Sequence, residues 1–271
     1  MKTILKIIGS AVLIFGLTAC EKEIREENLE SYDDVVDTEL EQRDFEIEDE
    51  MGTMECVTYD FTQHFPKGVE IIDTSEGYPK ILIIDYGNGI TDKHGRLKSG
   101  KVIINTTGEM RESGTIKTIT LENFKVGEAF VEGERKVENI GENEAGNMQF
   151  SVSGNRVINR EGVIRTKTYS RIKEWISGDE TCEREDDVFL ITGTSNLTSN
   201  KRSISTVITT PIYKSPGSCK YPLSGEIKIT KGNGKNGFLN FGDGTCNNKA
   251  ILTLSNGKIK EVDLDNRKCN K

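Results

Sequence analysis

From residue 56 to residue 262 the chain repeats one texture. A short run rich in Val, Ile, Thr and aromatic residues is followed by a cluster of Gly, Pro, Asn, Asp or Ser. Such runs occupy 57–59, 69–72, 80–84, 101–104, 115–121, 148–152, 163–169, 188–191, 203–212, 226–229, 250–254 and 259–262. Many alternate apolar with polar residues, as in Ile116-Lys117-Thr118-Ile119-Thr120-Leu121. In an extended backbone that alternation sends one set of side chains to a buried face and the other to water. No stretch beyond residue 55 keeps a helical period for three turns, and no Gly/Ser/Pro linker divides it. The expectation is one all-β domain over 55–271, predominantly an antiparallel meander built as an extended curved sheet or a sandwich.

The charge is unevenly placed. Residues 21–54 hold fifteen Asp/Glu against Lys22, Arg25 and Arg43, a balance of −12 in a chain whose total is −8. Like-charge repulsion and few apolar residues predict a solvated acidic tether over 20–54. Leu29, Tyr32, Val36 and Leu40 are spaced for one short amphipathic helix within it. Without this segment the remainder is close to neutral. Neither part carries a basic stripe along the sequence, so nucleic acid is not an expected partner.

Ahead of the tether, Lys2 and Lys6 precede an apolar run from Ile7 to Phe15, which closes on Leu17-Thr18-Ala19-Cys20. A cationic head, a short apolar core and small residues at the end form a secretory signal over 1–19. The run is too short to span a hydrocarbon core of ~30 Å as a helix. Leu-x-Ala-Cys resembles the lipobox of bacterial lipoproteins. That resemblance implies cleavage between Ala19 and Cys20 and acylation of Cys20, with chains such as palmitate on its thiol and new amine.

Five cysteines would remain beside Cys20: Cys56, Cys182, Cys219, Cys246 and Cys269. An exported chain can keep disulfides, and pairing four of five leaves 15 schemes open. Cys219–Cys246 is the preferred pair, because these two bracket one hairpin-sized stretch. No C-x₂₋₄-C pair supports a zinc site.

Two segments echo each other: Asp85-Tyr86-Gly87-Asn88-Gly89 and Asn240-Phe241-Gly242-Asp243-Gly244, each after an apolar run. Asn-Gly and Asp-Gly suit tight turns, where positive φ is needed, so both read as equivalent hairpin ends. Their oxygens, with Asp92, are candidate calcium ligands, but the spacing is not that of an EF-hand loop. No metal and no cofactor is expected.

Catalytic signals are sparse. The two histidines, His64 and His94, sit in turn-like contexts, and no Gly-x-Ser-x-Gly elbow is present. Glu174 beside Trp175, with Asp186 and Asp187 nearby, is the one cluster suited to glycan chemistry: an indole to stack on a sugar and paired carboxylates for proton transfer.

The lipobox, the acidic segment after Cys20, the stretches 84–89, 95–101, 174–178, 186–188 and 191–193, and Phe241-Gly242-Asp243-Gly244-Thr245-Cys246-Asn247-Asn248-Lys249-Ala250 together resemble outer-membrane lipoproteins of the Bacteroidetes type. The pattern departs at Ile90, where the group often has a cysteine, so its disulfide scheme does not transfer. The resemblance implies a lipid anchor in the outer membrane, facing the cell surface, and no particular activity. The expected function is a non-enzymatic binding or structural role at the cell envelope, with an envelope protein or glycan as partner. The alternative is a carbohydrate-binding or glycan-hydrolysing surface protein that uses Trp175, Glu174, Asp186 and Asp187.

Overall fold

The computed structural model describes residues 65–73, 76–92, 95–181, 184–200 and 202–264. The signal segment, Cys20, the acidic tether, the domain's start at 55, the run at 57–59, both histidines, and Cys56, Cys182 and Cys269 lie outside the described residues.

The described chain is all-β. Its strands are β1 (Glu70–Asp73), β2 (Lys80–Asp85), β3 (Ile90–Thr91), β4 (Leu97–Thr106), β5 (Ile116–Val126), β6 (Ala129–Glu142) and β7 (Met148–Arg160). They continue with β8 (Val163–Ser177), β9 (Val188–Ser199), β10 (Ser203–Lys214), β11 (Ser224–Lys231), β12 (Asn236–Asp243), β13 (Lys249–Leu254) and β14 (Ile259–Asp263). All pairs are antiparallel, and the order follows the sequence from β1 to β14, with the two-residue β3 set against β4 alone. The result is one meandering sheet whose first and last strands do not meet, not a sandwich.

Two runs read as strands, 148–152 and 163–169, are only the beginnings of β7 and β8, which extend to 13 and 15 residues. β6 matches none of the expected runs. Its side chains alternate Val131, Gly133, Arg135, Val137 and Asn139 toward one face with Glu132, Glu134, Lys136 and Glu138 toward the other. Glycine and arginine on the buried side erase the apolar alternation that marks a strand.

One face of the sheet carries the core. Ile84 of β2, Val102 and Ile104 of β4, Ile119 of β5 and Val131 of β6 cluster at the N-terminal end. Ile204, Ile227, Ile229, Leu239 and Leu252 belong to the C-terminal cluster, contributed by β10 to β13. Between them lies a smaller group, Val137, Phe150, Val152 and Tyr169, closed by Met110 from the loop 107–115. That loop is fixed by buried Asn139, whose side-chain amide donates to the Met110 carbonyl at 2.9 Å. Its Oδ1 accepts the Gly141 N–H at 2.8 Å.

A single sheet buries one face by curling, and the strands bend where their ladders slip. Register shifts interrupt seven strand pairs, and bulges of this kind kink a strand and raise its twist. Gly133 and Gly193 serve the same end, at φ of 140° and 132°. A Cβ at either would sit 2.2 Å from a carbonyl oxygen of the next strand, Asn155 for one and Ser170 for the other.

Cys219 and Cys246 are joined by a disulfide across 27 residues. It ties the segment before β11 to the loop between β12 and β13, and Cys219 is buried within the C-terminal cluster. By restricting the unfolded chain, a link across a loop of this size contributes about 3 kcal/mol. Replacing both cysteines by serine should therefore lower the urea midpoint by that equivalent. Reductant should lower the native protein's midpoint and leave the variant's unchanged; a reductant-insensitive native protein would show that the bridge adds nothing.

Candidate functional site

Trp175 and Glu174 are neighbours on β8, so alternation sends them to opposite faces. Trp175 stands opposite Met148 and Phe189 on the core face. Its ring lies 6.4 Å from Phe150 and 5.6 Å from Phe189, with the Arg111 guanidinium 5.4 Å from its centroid. Its indole N–H is buried without a hydrogen-bond partner. Glu174 faces the other way, and its Oε1 accepts 2.7 Å hydrogen bonds from the side-chain amides of Asn143 and Asn147. That contact holds the β6–β7 hairpin. Asp186, in a short 3-10 turn between β8 and β9, accepts from the Thr181 hydroxyl at 3.0 Å. Asp187 follows it and crowds Gly178. The structure does not bring Trp175 and Glu174 to one sugar-sized surface.

The turn residues with oxygens suited to calcium act on their own backbone. Asp85 Oδ1 accepts the Gly87 N–H at 2.7 Å and Asn240 Oδ1 accepts the Gly242 N–H at 2.9 Å. The two echoing segments thus share one local device: an Asx side chain caps the turn while the following aromatic, Tyr86 or Phe241, is buried. The Gly87 hydrogen bond holds the Asp85 carboxyl below its ordinary value; partial burial opposes this and the Lys101 ammonium, 3.3 Å away, assists. Asp92 is held by Arg96 at 2.6 Å. Among the described residues no group of His, Cys, Asp and Glu is arranged to hold a metal ion.

The feature with chemistry in it is one that spacing did not reveal. The face that carries the core also carries a band of cations across its longest strands. In successive cross-strand rows, Gly133 of β6 stands opposite Arg156 of β7, which stands opposite Lys167 of β8. The next row runs Ile119, Arg135, Gly154, Tyr169, Ser195. The third runs Lys117, Val137, Val152, Arg171, Gly193, and the fourth places Lys173 between Phe150 and Ile191.

Arg156 and Lys167 are only 8% and 5% exposed, and Lys117 is fully buried. Among the described residues of β5 to β9, the one carboxylate in register with this face is Glu142, exposed at the end of β6 beside Met148. The other acids of β6 and β8, including Glu132, Glu134, Glu138 and Glu174, belong to the opposite face.

Small residues make room for the band. A Cβ at Gly154 would come within 2.5 Å of the Tyr169 hydroxyl, and one at Gly193 within 3.1 Å of Arg171 Cγ. Aromatic rings take up part of the charge: Lys173 Nζ lies 3.7 Å from the Phe189 centroid and the Arg171 guanidinium 5.8 Å from that of Tyr169. Ser195 and Thr206, buried on the same face, share a 2.7 Å hydrogen bond.

Where the first two rows meet, a partly open cavity of about 20 Å³ lies between β4–β5 and β6–β8. Ile104, Ile119 and Leu121 line it from β4 and β5, and Glu132, Glu134, Arg135, Arg156 and Tyr169 from β6 to β8. The guanidinium group is a planar fork of donors suited to an oxyanion. The cavity is thus bordered by arginines and glutamates on one side and by aliphatic side chains on the other. No protein-family model, no curated protein and no solved structure matches the chain.

Proposed function

We propose that this chain is a lipid-anchored lipoprotein of the cell envelope, held in the outer membrane through Cys20, with a non-enzymatic binding role centred on the core face of its sheet. The observation that carries the binding part is the gathering of Arg135, Arg156, Lys167, Arg171 and Lys173 onto one face of β6 to β8. Guanidinium and ammonium groups set side by side offer charge-assisted hydrogen bonds to an anionic partner. The anchor rests on the cationic head, apolar run and Leu17-Thr18-Ala19-Cys20 ending, and the acidic segment then places the sheet away from an anionic bilayer surface. Catalysis is not assigned. The carboxylates suited to it by type are engaged locally, Glu174 by two amides and Asp186 by the Thr181 hydroxyl.

Intact-mass analysis of protein extracted from membranes tests the anchor. It should find a chain beginning at an acylated Cys20, and Cys20→Ala should move the protein into the soluble fraction. Native protein free in the culture fluid with an unmodified start would defeat the reading.

A further inference from the structure

We propose that segment 108–114, within the loop between β4 and β5, is a hinged strap. Arg111 latches it over Trp175, and it lifts from the core face without unfolding the sheet. The inference goes beyond the binding role proposed above and does not rest on it.

Three features of the segment carry this. The first is how its tip is held. Met110 is 2% exposed and closes the central cluster of Val137, Phe150 and Val152. Arg111 beside it is exposed. Its guanidinium lies 5.4 Å from the Trp175 ring centroid and donates to the Thr181 carbonyl at 2.7 Å, 70 residues along the chain. Thr181 is also exposed, in the connection after β8. Water competes for both partners of such a bond, so its net contribution is small. The far end of the strap is thus fastened by a contact that exchanges easily.

The second is how the ends are built. Gly108 and Gly114 bracket the segment. Gly114 has a φ of 88°. Its N–H donates to the Asn139 carbonyl at 2.8 Å, and the Asn139 N–H donates to the Thr115 carbonyl at 3.0 Å. The base is therefore tied to β6 through backbone, while the tip is tied through the side chains of Asn139 and Arg111. Glycine at each end can absorb the rotation that lifting requires.

The third is what closure costs. With the strap down, the Trp175 indole N–H is buried without a hydrogen-bond partner. An unmade hydrogen bond of this kind is unfavourable, and a permanent cover would be expected to supply an acceptor. Lifting the strap lets water reach the indole, which offsets part of the loss from exposing Met110. Methionine is unbranched and flexible, suited to leaving and refilling a gap. Opening bares Trp175 and Phe150 next to Lys173, two residues from Trp175 on the same face of β8. A partner that binds the bared surface would hold the strap open.

Peroxide footprinting of the full chain tests this, with Met110 sulfoxide read by peptide mass. Acrylamide quenching of Trp175, the sole tryptophan, is the second reading. Met110 should oxidise in the native protein at a rate unchanged by urea below the unfolding transition. Local opening exposes little surface and so responds weakly to denaturant. Arg111→Ala should raise that rate about tenfold, as expected for losing a charge-assisted contact, and should raise the quenching constant, with the urea midpoint kept.

Oxidation of Met110 that climbs with urea in step with global unfolding overturns the proposal. So does a folded Arg111→Ala variant in which either reading stays at its native value. The urea dependence needs no variant, so it decides even if the substitution prevents folding.

Discussion

Gly193→Ala is expected to destabilise the protein by about 4–5 kcal/mol, from about 1–3 kcal/mol of backbone strain added to about 1–3 kcal/mol of overpacking. The residue lies in the middle of β9 at φ 132°, where side chains are rarely found. A methyl there would stand 2.2 Å from the Ser170 carbonyl oxygen and 2.7 Å from Arg171 Cα. Both are backbone atoms of the paired strand, so no side-chain rotation relieves the contact. Gly162→Ala is the matched control. It also has positive φ, at 81°, but nothing lies within 4 Å of its Cβ position. Its loss should be about 1 kcal/mol, the cost of the backbone conformation alone. Urea unfolding of the two variants isolates the close approach between strands. Equal losses would mean that the sheet can relax at Gly193.

Leu252→Ala is expected to cost about 4 kcal/mol, while Ile251→Ala, one residue away, stays within about 0.5 kcal/mol of the parent. Leu252 is fully buried beside Ile229 and Leu239, whereas Ile251 is 39% exposed on the outer face. Removing the leucine leaves a cavity in a cluster drawn from several strands, and those strands are tied to one another by the ladder and cannot all move in to fill it. The pair also tests register. A slip of one residue in the β12–β13–β14 pairing exchanges the two faces, and the larger loss would then fall on Ile251. Such an inversion, read from the same unfolding curves, would refute the face assignment on which the core description depends.

Much of the fold was legible because strands that bury aliphatic residues announce themselves. β2, β5, β10 and β13 were marked by runs such as Ile81-Leu82-Ile83-Ile84 and Ala250-Ile251-Leu252-Thr253-Leu254. The Cys219–Cys246 link was legible because the two cysteines flank a single hairpin-sized stretch. β6 was not, nor were the far halves of β7 and β8, and the reason is common to all three. Their core-facing positions include Gly133, Arg135, Gly154, Arg156, Arg171 and Lys173, which read as polar or flexible chain. Departures from a clean pattern are expected where a protein gives up regularity for a site. The candidate site escaped for the same reason. Lys and Arg scattered from 117 to 173 look like solvated surface until the register gathers them onto one face. Conversely, Glu174 and Trp175 drew attention through adjacency, which in a strand is the spacing that separates side chains most.

Among the described residues every strand but the two-residue β3 lies beside its neighbours in sequence order, which has a consequence for how the molecule is made. Among the described strands none must wait for a distant part of the sheet: β5 and β6 can close on β4 before β10 exists, and even the Cys219–Cys246 bridge spans only 27 residues. Short separations between contacting residues favour rapid assembly. Growth can therefore proceed as a zipper from the first hairpin onward, each new ribbon laid on an edge already in place, and a chain arriving end first meets its template as it emerges.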